Sequence, residues 1–207
     1  MGTSAMNIIA KLRQQISSFG LQERYFLLFI MIAAFTINCE YGITRPASNG
    51  LFITLYSTQA FPWIWLATVP LNLCVVWGYN RFLSKIGPLP MFAIVAFLTI
   101  GINAITAWII PYFPAWILFQ FAWKDIYVLL MFKQLWSLIH STLLSTRAKY
   151  LYGLIYAMGT AGAVFGSMIP GFLAVEFGSE QLFLFTLPTY LILFFCYRKA
   201  VQYGTPS

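Results

Sequence analysis

Hydrophobic and polar positions divide this chain into long apolar blocks separated by short polar stretches. An α-helix needs roughly 20 apolar residues to cross the hydrocarbon core of a bilayer. Strands of a membrane β-barrel alternate polar and apolar residues one by one, and these blocks do not. The pattern therefore predicts an all-α membrane protein with six transmembrane helices, at 25–44, 61–82, 89–110, within 117–144, 151–175 and 182–197.

The composition favours a lipid bilayer as the environment of this chain. Hydrophobic residues make up 60% of the sequence and charged residues 8%, whereas soluble domains carry about 25% charged residues. The net charge of +7 does not indicate nucleic-acid binding, because the basic residues form neither one patch nor one run. They lie at the ends of the apolar blocks.

The basic residues orient the predicted helices. If the six helices alternate in direction, every basic loop falls on one side, and that side is expected to be cytoplasmic. Both termini are then cytoplasmic, and we divide the chain into an amphipathic segment (1–23, with an interfacial helix at 7–19), a transmembrane domain (24–199) and a tail (200–207). The basic residues that determine this orientation are Lys11, Arg13, Arg24, Arg81, Lys85, Arg147, Lys149, Arg198 and Lys199.

Charged residues inside the first apolar block need a physical reason, since burial in a bilayer costs about 2.5–3.5 kcal/mol on insertion scales. Glu40 and Arg45 lie towards the outer end of this block, and we expect Pro46 to end the helix after them. Two interpretations stay open. The two side chains reach the outer interface, or they line a cavity that a substrate enters.

The fourth block carries further polar groups. Lys124 and Asp125 are expected near its outer end, solvated and not necessarily paired, because sequence neighbours on a helix point about 100° apart. Lys133, Ser137 and His140 follow one face and form a polar stripe about 10 Å long. The stripe indicates a substrate or ion path, with structural pairing to another helix as the alternative.

Small residues are concentrated in the fifth block, where they predict close packing between helices. No residue pattern typical of an enzyme, a cofactor site or a metal site is present, and Cys39, Cys74 and Cys196 are expected to be small buried residues. The predicted packing residues are Gly159, Gly162, Ala163 and Gly166.

Three segments resemble the ATP/ADP translocase family of nucleotide transporters, within roughly residues 23–175. Segment 40–45 (Glu-Tyr-Gly-Ile-Thr-Arg) resembles the end of the family's first helix, and segment 133–137 (Lys-Gln-Leu-Trp-Ser) its helix-four motif. Segment 147–154 (Arg-Ala-Lys-Tyr-Leu-Tyr-Gly-Leu) is similar to the start of its fifth helix. The resemblance implies the N-terminal six-helix half of a major facilitator transporter.

The resemblance and the polar positions together give two functional hypotheses. The first is a transporter half that moves an anionic metabolite by alternating access, with a second half from the same chain, another copy or another subunit. The second is a non-transporting subunit of a membrane complex, because the family's Lys-Asp pair is Ser48-Asn49 here and its helix-four glutamate is Gln134. A bacterial inner membrane is the expected location, with an organelle membrane as the alternative. The candidate substrate residues are Glu40, Arg45, Lys133, Gln134, Ser137 and His140.

Overall fold

The fold is known from a computed structural model that describes residues 20–142 and 145–204, without the side chains of 145–150. Within these ranges every regular element is a helix, and no strand occurs. The predicted interfacial helix at 7–19, the basic side chains of Arg147 and Lys149 and the last three residues of the tail lie outside the description.

The chain forms seven α-helices within the described ranges, and five membrane-length segments are apolar enough to cross a bilayer. These five segments are Leu21–Tyr56, Thr58–Ile86, Pro88–Ile109, Leu151–Phe177 and Leu182–Gly204. The chain therefore has the helices of a membrane protein. In order, the helices are α1 Leu21–Tyr56, α2 Phe61–Ile86, α3 Pro88–Ile109, α4 Trp116–Thr142, α5 Ser145–Phe177, α6 Leu182–Phe185 and α7 Leu187–Gly204.

The helix α4, which corresponds to the fourth predicted span, is not among the five. It has 27 residues, long enough to cross a bilayer, but Lys124, Asp125 and Lys133 interrupt its apolar sequence. It packs against α1, α2, α3 and α7, so its position is inside the bundle. The count of six membrane crossings stays a prediction.

The prediction that Pro46 ends the first helix is wrong. Helix α1 continues for 36 residues with Pro46 inside it, and it ends only before Ser57, whose φ is 67°. A proline removes the backbone hydrogen bond to the carbonyl four residues earlier and crowds that carbonyl. That earlier residue is Gly42, and in membrane bundles neighbouring helices and side chains accommodate such a break.

Two other predicted boundaries also change. Residues 83–86, expected between the second and third spans, complete α2, and the chain turns at Gly87 with φ 85°. Residues 200–204, expected as tail, continue α7, with Ala200 fully buried. The sixth predicted span is divided at Thr186 into α6 and α7.

The start of α1 and the ends of α4 and α7 meet at one end of the bundle. A Cβ built on Gly204 would lie 2.9 Å from Thr142 Oγ1 and 3.0 Å from a ring carbon of Phe26. At the opposite end a second apolar cluster forms around Phe52 and Phe121, whose ring centroids are 4.9 Å apart. Helices α1 and α4 contribute residues to the packing at both ends, so they extend along the whole core.

Helix α2 presents most of its apolar side chains outwards. Trp63 is 74% exposed, and Trp77 and Leu73 are exposed on the same helix. Exposed apolar surface of this kind suits contact with lipid tails. The outward orientation also explains why Cys74 is exposed, against the prediction that all three cysteines are buried; Cys39 and Cys196 are buried.

Helices α1 and α5 approach through their small residues. A Cβ on Gly162 would lie 2.1 Å from the Phe35 carbonyl oxygen, and one on Gly166 would lie 2.0 Å from the Cys39 carbonyl oxygen. All four residues predicted for helix packing lie at this contact. Gly159 faces Asn38, and the Ala163 carbonyl oxygen lies 2.9 Å from a Cβ built on Gly42.

Candidate functional site

The six candidate substrate residues do not form one site. Lys133, Gln134 and Ser137 line a pocket between α2, α4 and α7, while Arg45 lines an open depression between α1 and α5. Glu40 is buried in the core, and His140 contacts α5. The pocket that contains three of them is therefore the candidate site.

This pocket arises from one face of α4. Gln134, Ser137, Leu138 and Ser141 follow the spacing of three, four and seven residues that places side chains on one side of a helix. They face Tyr79 and Leu83 of α2, Pro88 at the start of α3 and Tyr197 of α7, around a volume of about 100 Å³. The pocket lies towards the end of the bundle where α2 and α4 end.

Lys133 is held at the exposed edge of the pocket by contacts with α2. Its ammonium group donates a hydrogen bond to Asn80 Oδ1 and lies 5.3 Å from the centre of the Tyr79 ring. A cation over an aromatic face is stabilised by about 0.5–1 kcal/mol at exposed sites. A positive charge thus has a defined place at the pocket.

Gln134 gives the pocket its polar interior. Its side chain is 3% exposed, and neither Nε2 nor Oε1 makes a hydrogen bond of normal geometry within the described part of the chain. The neighbouring Tyr79 hydroxyl is also buried without such a bond. A buried polar group left unsatisfied costs about 1–3 kcal/mol. The pocket therefore offers a donor, an acceptor and a phenol to a polar molecule.

The volume limits what this pocket can hold. A water molecule takes about 30 Å³ in the liquid, so 100 Å³ suits about three waters or one anionic group of carboxylate or phosphate size. Pockets for whole drug-sized ligands measure about 300–1,000 Å³. A larger metabolite would place only one group here.

Glu40 and Arg45 have separate environments. Glu40 is 2% exposed and accepts hydrogen bonds from the hydroxyls of Tyr127 and Thr44. Arg45 is exposed, with its guanidinium carbon 5.9 Å from the centre of the Tyr41 ring. Of the two interpretations, the one in which Glu40 reaches the outer interface is wrong, because hydroxyls of neighbouring residues bond to its carboxyl inside the core.

Lys124 and Asp125 form an ion pair, contrary to the expectation of two solvated groups. Lys124 is 2% exposed, and its Nζ lies 3.0 Å from Asp125 Oδ2 and 3.7 Å from the centre of the Phe121 ring. Tyr41 donates to Asp125 Oδ1 at 3.0 Å. Burial removes water as a partner, so the flexible lysine side chain bends back to its neighbour.

His140 does not share the pocket with Lys133 and Ser137, so the predicted polar stripe is divided. The Nδ1 atom of His140 lies 3.0 Å from the Tyr152 hydroxyl of α5. Its ring also lies 6.1 Å from that of Trp136. This aromatic contact between α4 and α5 is the structural pairing that we left open as the alternative.

A buried polar network between α3, α4 and the Thr186 turn was missed by the sequence analysis. Gln120 Nε2 donates to Asn103 Oδ1 at 2.9 Å, Asn103 Nδ2 donates to Thr186 Oγ1 at 2.9 Å, and Thr106 donates to Gln120 Oε1 at 3.1 Å. All four side chains have no exposed surface. In the sequence each of these residues is an uncharged polar residue inside an apolar block. Such a residue changes the hydropathy pattern less than a charged one does.

Neither a metal site nor a known relative identifies the function. Among the described residues, no group of three or more His, Cys, Asp or Glu is placed to hold a metal ion. Comparison with known proteins finds no matching family model, no similar curated protein and no similar solved structure.

Proposed function

We propose that this chain is one six-helix half of a transporter that moves an anionic metabolite by alternating access. The carrying observation is the buried amide of Gln134, with the Tyr79 hydroxyl next to it, beside the fixed ammonium of Lys133. A positive charge with neutral donors beside it is a common arrangement for binding an anionic group. The resemblance of segment 133–137 to the helix-four motif of ATP/ADP translocases supports a nucleotide as the metabolite.

The basic residues at the end of the bundle near the pocket support an anionic metabolite as the substrate. Arg81 and Lys85 lie near the end of α2, and Arg198 and Lys199 near the end of α7. Basic residues around a pocket raise the local concentration of anions. The same residues favour the cytoplasmic side for this end, with a bacterial inner membrane as the proposed location.

The size of the pocket supports a half rather than a complete transporter. About 100 Å³ admits one phosphate group but not a nucleotide. A second six-helix half would enclose the remainder of the metabolite, as the two halves of major facilitator transporters do around a central cavity.

Exchange of nucleotides by reconstituted protein tests the proposal. We expect vesicles in which two copies of the full chain supply the two halves around internal ATP to take up labelled ADP, with uptake abolished in Lys133→Ala and Gln134→Leu. Arg24→Ala is the matched control, because Arg24 is an exposed cation at the same end of the bundle and does not line the pocket. Full uptake in Lys133→Ala would refute the site.

The same experiment separates the second candidate function. Exposed apolar side chains on α2, such as Trp63 and Leu66, would also suit a subunit that packs against other membrane proteins. In that case wild-type vesicles would take up no ADP, and gently solubilised protein would elute in a particle with other membrane proteins.

A further inference from the structure

The carboxyl group of Glu40 lies in the middle of the bundle among groups from four helices. Tyr127 of α4 donates to both carboxyl oxygens and Thr44 of α1 to one of them. Asn103 of α3 and Tyr190 of α7 lie beside the same carboxyl. Glu40 itself is 2% exposed, so these side chains of the described residues, rather than bulk water, are its polar partners.

None of the groups that face Glu40 is a cation. The ammonium group of Lys124 is paired with Asp125 rather than with Glu40, and no described cation forms an ion pair with the Glu40 carboxyl. An ionised carboxylate at membrane depth is costly without such a partner, whereas a protonated carboxyl is tolerated. The titratable groups nearest to it are Tyr127 on α4, Tyr190 on α7, and Cys39 and Tyr41 on α1.

Tyr190 allows the site to accommodate both forms of the carboxyl. Its hydroxyl is buried and makes no hydrogen bond of normal geometry to another described residue, and its ring lies 6.0 Å from that of Tyr127. A phenol both donates and accepts. The Tyr190 hydroxyl can accept from a protonated Glu40 and, with Tyr127 and Thr44, donate to an ionised one.

A line of buried polar side chains connects this position with one end of the bundle. Asn103, beside Glu40, bonds to Gln120, which accepts from Thr106. Thr106 in turn accepts from the indole nitrogen of the half-buried Trp116 at 2.9 Å. Water that enters between α3 and α4 would follow polar groups rather than apolar ones, and it would supply the acceptor for a proton.

We propose that Glu40 is a reversible proton-binding site. The protonated carboxyl is the form that the bundle in this structure holds, and ionisation transfers its proton to water that enters along the polar side chains between α3 and α4. Rising pH therefore favours the ionised, hydrated form and falling pH the protonated one. This site shares no residue with the pocket around Lys133, so it does not depend on the proposed substrate.

Infrared titration of the reconstituted full chain tests this site without any solute. The four other side-chain carboxyl groups are those of Glu23, Asp125, Glu176 and Glu180. The carboxyl group of Glu40 is buried without a cation beside it, so we expect a carboxylic C=O band from it at neutral pH. That band should disappear reversibly as the pH rises.

Substitutions assign the band. It should be absent in Glu40→Gln and unchanged in Glu176→Gln, a matched control because Glu176 is exposed. Circular dichroism and elution volume establish that both variants fold. If Glu40→Gln does not fold, a shift of the band in wild-type protein with ¹³C-labelled glutamate shows that it belongs to a glutamate. An unchanged band in Glu23→Gln, Glu176→Gln and Glu180→Gln then assigns it to Glu40.

Three results would overturn the proposal. They are the absence of a carboxylic band at neutral pH, a band that persists unchanged until the protein unfolds, and a band that remains in folded Glu40→Gln. None of these results bears on ADP exchange, so the proton site and the proposed function fail independently.

Discussion

Adding one methyl group at Gly162 should separate α1 from α5. The new Cβ would lie 2.1 Å from the Phe35 carbonyl oxygen and 2.8 Å from its carbonyl carbon, whereas ordinary contact begins at 3.4 Å. The obstacle is helix backbone, which cannot rotate away as a flexible side chain does. In Gly162→Ala the two helices must therefore move apart by about 1.3 Å, the difference between the contact distances of 2.1 and 3.4 Å.

The structure also gives the sign and size of the effect. Overpacking costs about 1–3 kcal/mol, and a contact with backbone belongs at the upper end. Alanine recovers about 1 kcal/mol of helix propensity relative to glycine. We therefore expect the free energy of unfolding to fall by about 2 kcal/mol in Gly162→Ala.

Gly171→Ala provides the matched control on the same helix. A Cβ at Gly171 meets no atom within 4 Å, so only the propensity gain of about 1 kcal/mol applies. The unfolding free energies of both variants can be measured in detergent micelles by circular dichroism during chemical denaturation. If Gly162→Ala were as stable as Gly171→Ala, the close backbone contact between α1 and α5 would be refuted.

Two further substitutions test buried polar contacts by the same measurement. Gln120→Leu removes the donor to Asn103 and should lower the free energy of unfolding by about 1–3 kcal/mol for each polar group left unpaired. Gln202→Leu, at an exposed position, should change this free energy little. Equal losses in the two variants would contradict the network. Lys124→Met leaves Asp125 without its cation and should destabilise by less than the roughly 3–5 kcal/mol of a fully buried pair, because the Asp125 side chain is 32% exposed. Adding Asp125→Asn should restore part of that stability, and strict additivity of the two changes would argue against the ion pair.

The apolar blocks predicted the helices well because bilayer thickness sets a length that the sequence must match. The ends were predicted less well. Pro46 indicates a helix end when only local backbone geometry is considered, yet α1 continues through it. What accommodates the proline is the packing of other helices around α1, and local sequence carries no information about those neighbours.

The candidate site was predicted in part. One face of α4 brings Ser137 and Gln134 to a common pocket, and helical spacing gives that directly. The spacing cannot say which helix lies opposite. Tyr79 completes the pocket from α2, while His140 turns to Tyr152 on α5, and both partners depend on how the helices associate.

The position of α4 shows why hydropathy and burial disagree in this bundle. In a bilayer the apolar side chains can face lipid at no cost, whereas charged and amide groups must find partners among other helices. The helix with Lys124 and Gln120 therefore belongs in the interior, and both side chains are buried there. Conversely, the segment Thr58–Ile86, which contains α2, is apolar, and only 6% of its most apolar part is buried. Helix α4 is thus central because of its polar groups, and the same reasoning places Glu40 of α1 opposite Tyr127 of α4.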